Sequence, residues 1–359
     1  MKQSSLAYTT GIVAGALLIA VLLFSLCVLG SCAPQDSGEG PSQSSAEEQA
    51  SSPTANNPTT DTPTPRASPI DPLEKRIQDK LATMTLEQKV AQLFILQPEA
   101  LTNVDVVTQA GNVTKDALST FPVGGLIYFG KNLTGPDQTR TMLSNTQDYA
   151  TTNNGLPLFL CVDEEGGTVA RIGGNPAYSV PVIGNMVDIG ATGDPSQAHT
   201  VGVTIGTYLQ DLGFTVDFAP DADIANNPEA NVMALRSFGS DATLVANMVQ
   251  AELQGFMQTG VLPCAKHFPG IGSALGDSHD ESIATNATLD QMMEVELAPF
   301  QVAVEALNAG VDIMLMPADF PAAYQGVLTA LTNEQLSEER LDRSVYRILR
   351  AKYSMNAAA

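Results

Sequence analysis

The sequence predicts an α/β fold built on a parallel sheet, and three observations carry that reading. Short, near-continuous apolar runs recur at residues 91–96, 124–129, 158–162, 214–219, 262–267 and 311–316. Segments of helical periodicity separate most of them, among them residues 244–258 and 289–308. Polar residues gather just after the runs: Asp163-Glu164-Glu165-Gly166-Gly167 after the third, Asp221 and Asp223 after the fourth, and His267 at the end of the fifth. Strands buried on both faces read as continuous apolar stretches, and their alternation with helices gives a parallel sheet covered by helices. Chemistry collected at the C-terminal ends of parallel strands belongs to a TIM-type (β/α) barrel or to an open α/β sheet. No Gly-x-Gly-x-x-Gly follows the first strand, and Gly270-Ile271-Gly272 lacks the rest of that fingerprint, which favours the barrel. Six strands where a closed barrel has eight make it a barrel shortened by about two strands.

In chain order, the first segment stands apart from the fold. Lys2 precedes an apolar run over residues 11–29 that ends in Leu29-Gly30-Ser31-Cys32. This is the pattern of a secretory signal, residues 1–32, and its ending resembles a bacterial lipobox with Cys32 as the lipidated residue. The alternative is an uncleaved membrane anchor, and both place the remainder outside the cytoplasmic membrane, tethered to its outer face. Residues 33–70 are Ser, Pro, Thr, Gln, Asn and Asp with almost no large apolar side chain. Such a stretch cannot bury enough surface to offset its conformational entropy. As a flexible tether it would span on the order of 35 Å.

The folded region, residues 71–356, opens with Thr85 and Gln88 spaced as a capping box. It closes with a helix that Ser337 can cap. Leu341, Val345, Ile348 and Leu349 form that helix's apolar stripe, and Arg347, Arg350 and Lys352 suit its negative end. Cys161 and Cys264 lie in apolar runs and are expected to be buried free thiols. A formal net charge of −22 excludes nucleic acid as a partner. No metal-ligand spacing is present, and no cofactor or metal is implied.

The most informative segment carries two of the three histidines, twelve positions apart: Lys266-His267-Phe268-Pro269-Gly270-Ile271-Gly272, then Asp277-Ser278-His279. Histidine changes charge near neutral pH and suits proton transfer. A lysine, two histidines and an aspartate around a Pro/Gly-rich loop describe a site for a polar substrate, against the plainer reading of an incidental polar loop. His199 lies in a helical stretch outside every motif and is expected to be a surface or packing residue.

These motifs together resemble glycoside hydrolase family 3, in its bacterial β-N-acetylglucosaminidase (β-N-acetylhexosaminidase) branch. The likeness runs from Met84-Thr85-Leu86-Glu87-Gln88-Lys89-Val90 through residues 163–171, Arg236-Ser237-Phe238-Gly239 and Lys266–Gly272 to Asp277-Ser278-His279, and resumes in the last helix. The resemblance implies retaining hydrolysis of terminal β-linked N-acetylglucosamine from glycans or cell-wall fragments. It makes His279 the general acid/base and Asp277 its orienting partner. A carboxylate two residues away can face the same side of an extended loop and favours the imidazolium. Asp163, Arg171, Arg236, Lys266 and His267 match the family's substrate-binding positions, with a structural ion pair as the alternative for the two arginines.

The sequence departs from the family's pattern in two places. Ile271 stands where histidine is usual. The Ser/Thr-Asp-Asp/Ala-Leu segment that supplies the nucleophilic aspartate does not occur downstream of Asp277-Ser278-His279. Roughly sixty residues, about one and a half βα units of such a barrel, are absent at this point. Asp312, expected within the last strand, and Asp319, at its end, are the remaining carboxylates there. Asp319 is the candidate substitute nucleophile, which would have to lie about 5–5.5 Å from the acid/base. Three readings follow: a glycosidase, a catalytically inactive sugar-binding lipoprotein, or a chain with an incomplete barrel.

Overall fold

The computed structural model describes residues 71–226, 233–268, 270–272, 312–317 and 319–355. The helices are α1 (Pro72–Thr83), α2 (Leu86–Ala91), α3 (Pro98–Thr102), α4 (Asn112–Thr120), α5 (Pro136–Asn154), α6 (Met186–Gly190), α7 (Pro195–Leu212), α8 (Ala242–Met257), α9 (Phe320–Thr332) and α10 (Glu338–Met355). The strands are β1 (Phe94–Leu96), β2 (Gly125–Ile127), β3 (Phe159–Val162), β4 (Glu164–Gly166), β5 (Val169–Ala170), β6 (Val216–Asp217), β7 (Leu262–Pro263) and β8 (Met314–Leu315).

Each of the six apolar runs contributes a strand to one sheet, in the order β7-β6-β3-β2-β1-β8. Every pair is parallel, with Ile95 opposite Gly125, Gly125 opposite Phe159, Cys161 opposite Val216 and Val216 opposite Leu262. The last strand returns to pair with the first, Phe94 opposite Met314, as in a barrel. Among the described residues the sheet ends at β7 and β8, so the architecture is a parallel half-barrel with helices. The strands are shorter than the apolar runs because α2 takes up the start of the first run, while the fifth run is interrupted after β7 and rejoins its neighbour at Lys266, which bridges Asp221 in parallel. There Cys264 N–H donates to the carbonyls of Asp217 and Ala219, at 2.9 Å each.

The capping box forms as the spacing predicts. Thr85 Oγ1 accepts from Gln88 N–H at 3.3 Å, and Gln88 Oε1 accepts from Thr85 N–H at 3.0 Å. Ser337 caps the final helix through Arg340 N–H, at 3.1 Å. Leu341, Val345, Ile348 and Leu349 are all buried. Lys352 corrects an expectation, since it is wholly buried rather than a solvated charge at the helix end. Its Nζ donates to Gln92 Oε1 at 2.7 Å and lies 5.1 Å from the Phe159 ring centroid. Gln92 in turn donates to the Pro122 and Val123 carbonyls. One lysine on α10 therefore ties together the N-terminal ends of β1, β2 and β3. Asp312, expected within the last strand, precedes β8. It accepts from Arg347 Nε and from the Ser344 hydroxyl, both at 2.7 Å, which fixes α10 to the entry of that strand.

Helices α7 and α8 approach closely through glycines. A Cβ on Gly202 would lie 2.3 Å from the Glu252 carbonyl oxygen, and one on Gly255 the same distance from that of His199. His199 contacts Gln258 on the surface, in line with expectation. Cys161 is a buried free thiol as expected, whereas Cys264 is exposed, because it follows edge strand β7. Glu252 is buried, and neither of its carboxylate oxygens has a hydrogen-bond partner. Burial and the nearby charge of Glu165 push its carboxyl well above the ordinary range. A group raised in this way contributes stability below its unfolded pKa and loses it as pH rises. Replacing Glu252 by leucine should therefore stabilise the protein at pH 7 by about 1–3 kcal/mol. In urea unfolding, the gain should shrink as pH falls from 7 toward the ordinary carboxylate range and level off below it.

Candidate active site

The polar residues that follow β3, β6 and β7 converge at the C-terminal end of the sheet. The turn Gly166-Gly167 makes this possible, because it folds β4 and β5 back as an antiparallel hairpin with Glu164 opposite Ala170. Both glycines have positive φ, +87° and +54°, a conformation that costs glycine little. A Cβ on Gly167 would come within 2.6 Å of Asn185 Oδ1. The hairpin turns two glutamates inward. Glu164 accepts from the backbone N–H groups of Ile172 and Gly173 and from the Tyr208 hydroxyl, all at 2.7 Å, and so holds the loop that carries Arg171.

Glu165 is the hub. Arg236 grips it bidentately, Nε to Oε2 at 2.7 Å and a terminal nitrogen to Oε1 at 2.8 Å, and Lys266 Nζ lies 2.5 Å from Oε1. Lys266 also donates to Asp163 Oδ1 at 2.7 Å. Burial alone would raise the Glu165 carboxyl, but the Arg236 hydrogen bonds and the Lys266 charge outweigh it and hold the group below its ordinary value. Burial alone would likewise lower Lys266, yet Glu165 and Asp163 raise it above its usual range. The site is thus a chain of alternating fixed charges: Asp163, Lys266, Glu165, Arg236.

His267 extends the chain. Its Nε2 lies 3.2 Å from an Arg236 terminal nitrogen, which can only donate, so Nε2 is the acceptor. Nδ1 then carries the proton, given to Asp223 Oδ2 at 2.6 Å. Asp223 also accepts from the backbone N–H groups of His267, at 3.1 Å, and Ile271, at 2.5 Å, so one carboxylate fixes both the ring and the following loop. The buried Asp221 accepts from Asp223 N–H at 2.9 Å through Oδ1, while Oδ2 is left without a hydrogen-bond partner, 3.6 Å from Arg236 Nε. Burial and the adjacent Asp223 charge raise it well above the carboxylate range.

Ligand atoms of Asp221, Asp223 and His267 lie within 4.8 Å of one another, the spacing of a metal cluster. Both ring nitrogens are already committed, however, and the Arg236 cation occupies the space beside Asp221. The trio is built to hold an imidazole between an arginine and a carboxylate.

Asp163, Arg236, Lys266 and His267 are therefore brought together. Arg236 forms an ion pair with Glu165. Arg171 stands apart from them: its Nε has no hydrogen-bond partner, and its guanidinium lies 5.9 Å from the Phe129 ring centroid. Asp319 caps α9, accepting from Ala322 N–H at 2.9 Å, and is exposed at the exit of β8. Asp319→Ala should cost about 1 kcal/mol as a lost cap, read by thermal unfolding. Asp277, His279 and Cys32 lie outside the described residues. Sequence reasoning missed Glu165 and gave Asp221 and Asp223 no role, although all three sit in acidic clusters directly after apolar runs. That position was the available signal.

A parallel half-barrel with fixed charges at its strand C-termini defines a barrel-type α/β protein. The chain belongs to glycosyl hydrolase family 3: the model of that family's N-terminal domain matches residues 85–307. It is 36% identical over 212 residues to Beta-hexosaminidase A of Pseudoalteromonas piscicida, covering 58% of this chain and 35% of that protein. It is 30% identical over 231 residues to Beta-hexosaminidase LpqI of Mycobacterium tuberculosis, covering 64% and 54%. Among solved structures, a family 3 beta-N-acetylglucosaminidase from Paenibacillus sp. superposes with a TM-score of 0.68 at 29% identity, over 77% of this chain and 64% of that one. The chain thus spans a third to a half of the length of these two curated relatives.

Proposed function

We infer that the chain recognises terminal β-linked N-acetylglucosamine, in glycans or cell-wall fragments, and that its reaction is retaining hydrolysis. The observation that supports this best is the Asp163–Lys266–Glu165–Arg236–His267 array. Fixed carboxylates accept from sugar hydroxyls. The cations hold hydroxyl and acetamido oxygens, with little reorganisation on binding. The names of the relatives, β-hexosaminidases, agree with it. Asp163, Arg171, Arg236, Lys266 and His267 bind the sugar, and His279, oriented by Asp277, protonates the glycosidic oxygen and later deprotonates water.

A second reading, a sugar-binding protein without turnover, is favoured by one observation. The family's nucleophile segment is missing from the sequence, and Asp319 is engaged as a helix cap. Turnover of a chromogenic β-N-acetylglucosaminide, lost in His279→Ala, is expected of the enzyme. Ligand-dependent stabilisation without turnover is expected of the binder. The reading includes export and lipid anchoring at Cys32, supported by the sequence around that residue. Loss of membrane association in Cys32→Ala would be its check.

A further inference from the structure

Glu164 takes no part in the charged array, yet it governs the backbone of the one sugar-site residue that stands apart from that array, Arg171. The glutamate is wholly buried, so it cannot itself touch a sugar. Its carboxylate is wrapped by the turn that follows β5. Oε2 accepts from Ile172 N–H, and Oε1 accepts from both Gly173 N–H and the Tyr208 hydroxyl, all at 2.7 Å. The Arg171 backbone N–H also favours the ionised carboxylate. Successive N–H groups that converge on one anion form a nest. Gly174 N–H closes the turn onto the Ala170 carbonyl at 3.2 Å, and Asn175 N–H onto that of Ile172 at 3.1 Å. Glycines permit this closeness: a Cβ on Gly173 would lie 3.0 Å from Glu164 Oε1, and one on Gly174 2.5 Å from the Ala170 oxygen.

We infer that Glu164 is a positioning residue for the sugar site: its ionised carboxylate sets the turn that aims Arg171 at the ligand, and a proton on that carboxylate releases the arginine. The inference rests on the function proposed above, in which Arg171 binds the sugar. Arg171 Nε is buried with no hydrogen-bond partner, a cost that an oxygen of the ligand would remove. The direction of the side chain therefore comes from its backbone, and the backbone is set by Glu164. Charge matters because an ionised carboxylate only accepts, whereas a carboxylic acid or an amide turns one of the two positions into a donor. Either oxygen lost as an acceptor opens the turn. Burial raises the Glu164 carboxyl above its ordinary range, against hydrogen bonds that lower it. Among the described residues, Tyr208 of α7, Asp217 of β6, and Tyr178 and Arg171 of the segment after β5 are the titratable and charged groups around it. Burial raises both phenols, which keep their protons. Asp217 is hydrogen-bonded to the Glu164 N–H, at 2.9 Å, and not to its carboxylate. The proton that releases the turn is thus Glu164's own.

The test is calorimetric titration of the full chain with N-acetylglucosamine. At pH 7.5 Glu164→Gln should weaken binding at least fivefold. The ratio of the two affinities should shrink toward one as pH falls to about 5, because protonation does to the unmodified chain what the amide does to the variant. In an Arg171→Ala background the same substitution should change affinity less than twofold at either pH. If Glu164→Gln does not fold, the pH profiles of the unmodified chain and Arg171→Ala decide. Acidification should then weaken the unmodified chain at least threefold more than the variant. An affinity that Glu164→Gln leaves unchanged, an equal loss in both backgrounds, or equal pH profiles with and without Arg171 would overturn the inference and leave the sugar site standing. No binding by the unmodified chain would overturn the function proposed above and this inference with it.

Discussion

Arg236→Ala is expected to be the most damaging single substitution in the charged array, at about 3–5 kcal/mol of stability and at least a hundredfold in sugar affinity. The stability loss follows from what the arginine leaves behind. The Glu165 side chain is 1% exposed and would keep only Lys266 as a cationic partner. A buried carboxylate stripped of one partner pays a desolvation cost that its remaining contacts do not cover. The affinity loss has a second source, because His267 Nε2 would lose its donor and with it the constraint that sets the ring's tautomer. Adding Glu165→Gln to Arg236→Ala should recover about 1–3 kcal/mol in urea unfolding, since the pair interacts directly. A double variant no more stable than Arg236→Ala would mean that the charge is not the cause.

The second large effect concerns pH and a residue far from the sugar site. Burial depresses the Lys352 ammonium to about 7. A lysine lowered in the folded state contributes stability above its unfolded pKa, near 10.5, and loses it as pH falls toward the folded value. The difference in stability between the unmodified chain and Lys352→Met should therefore move in favour of the lysine as pH rises from 7 to 10, by several kcal/mol. The difference matters, not the absolute curve, because Glu252, Asp217 and Asp221 are buried acids raised above their usual range and pull the other way. Urea unfolding of both proteins at pH 7 and pH 9.5 reads it. A pH-independent difference would show that Lys352 stays charged in the folded state.

These two residues also show what was legible in the sequence. Apolar runs announce strands because a sheet covered on both faces needs them, and all six runs supplied one. Lys266 and His267 were visible in the loop that gathers the histidines of a histidine-poor chain, and Arg236 through the resemblance to glycoside hydrolase family 3. Glu165 was hidden among other acids, since a carboxylate that pairs two cations looks the same in one dimension as a solvated one. Lys352 was misread for a related reason. A lysine in the last turn of a helix is ordinarily a dipole partner in water, and only the packing of α10 across the strand entries makes it a buried tie to Gln92. Cys264 lay in an apolar run and was expected inside, but it directly follows β7, where the described sheet ends, and is exposed.

The charged array as a site for N-acetylglucosamine is tested most directly by the unfolding midpoint of the full chain with and without the sugar. N-acetylglucosamine at millimolar concentration should raise the midpoint by a few degrees, as ligand binding to the folded state requires. Glucose, which lacks the acetamido group, should raise it less, and Asp163→Asn should remove most of the shift. An unchanged midpoint, or a shift that Asp163→Asn leaves intact, would contradict the account.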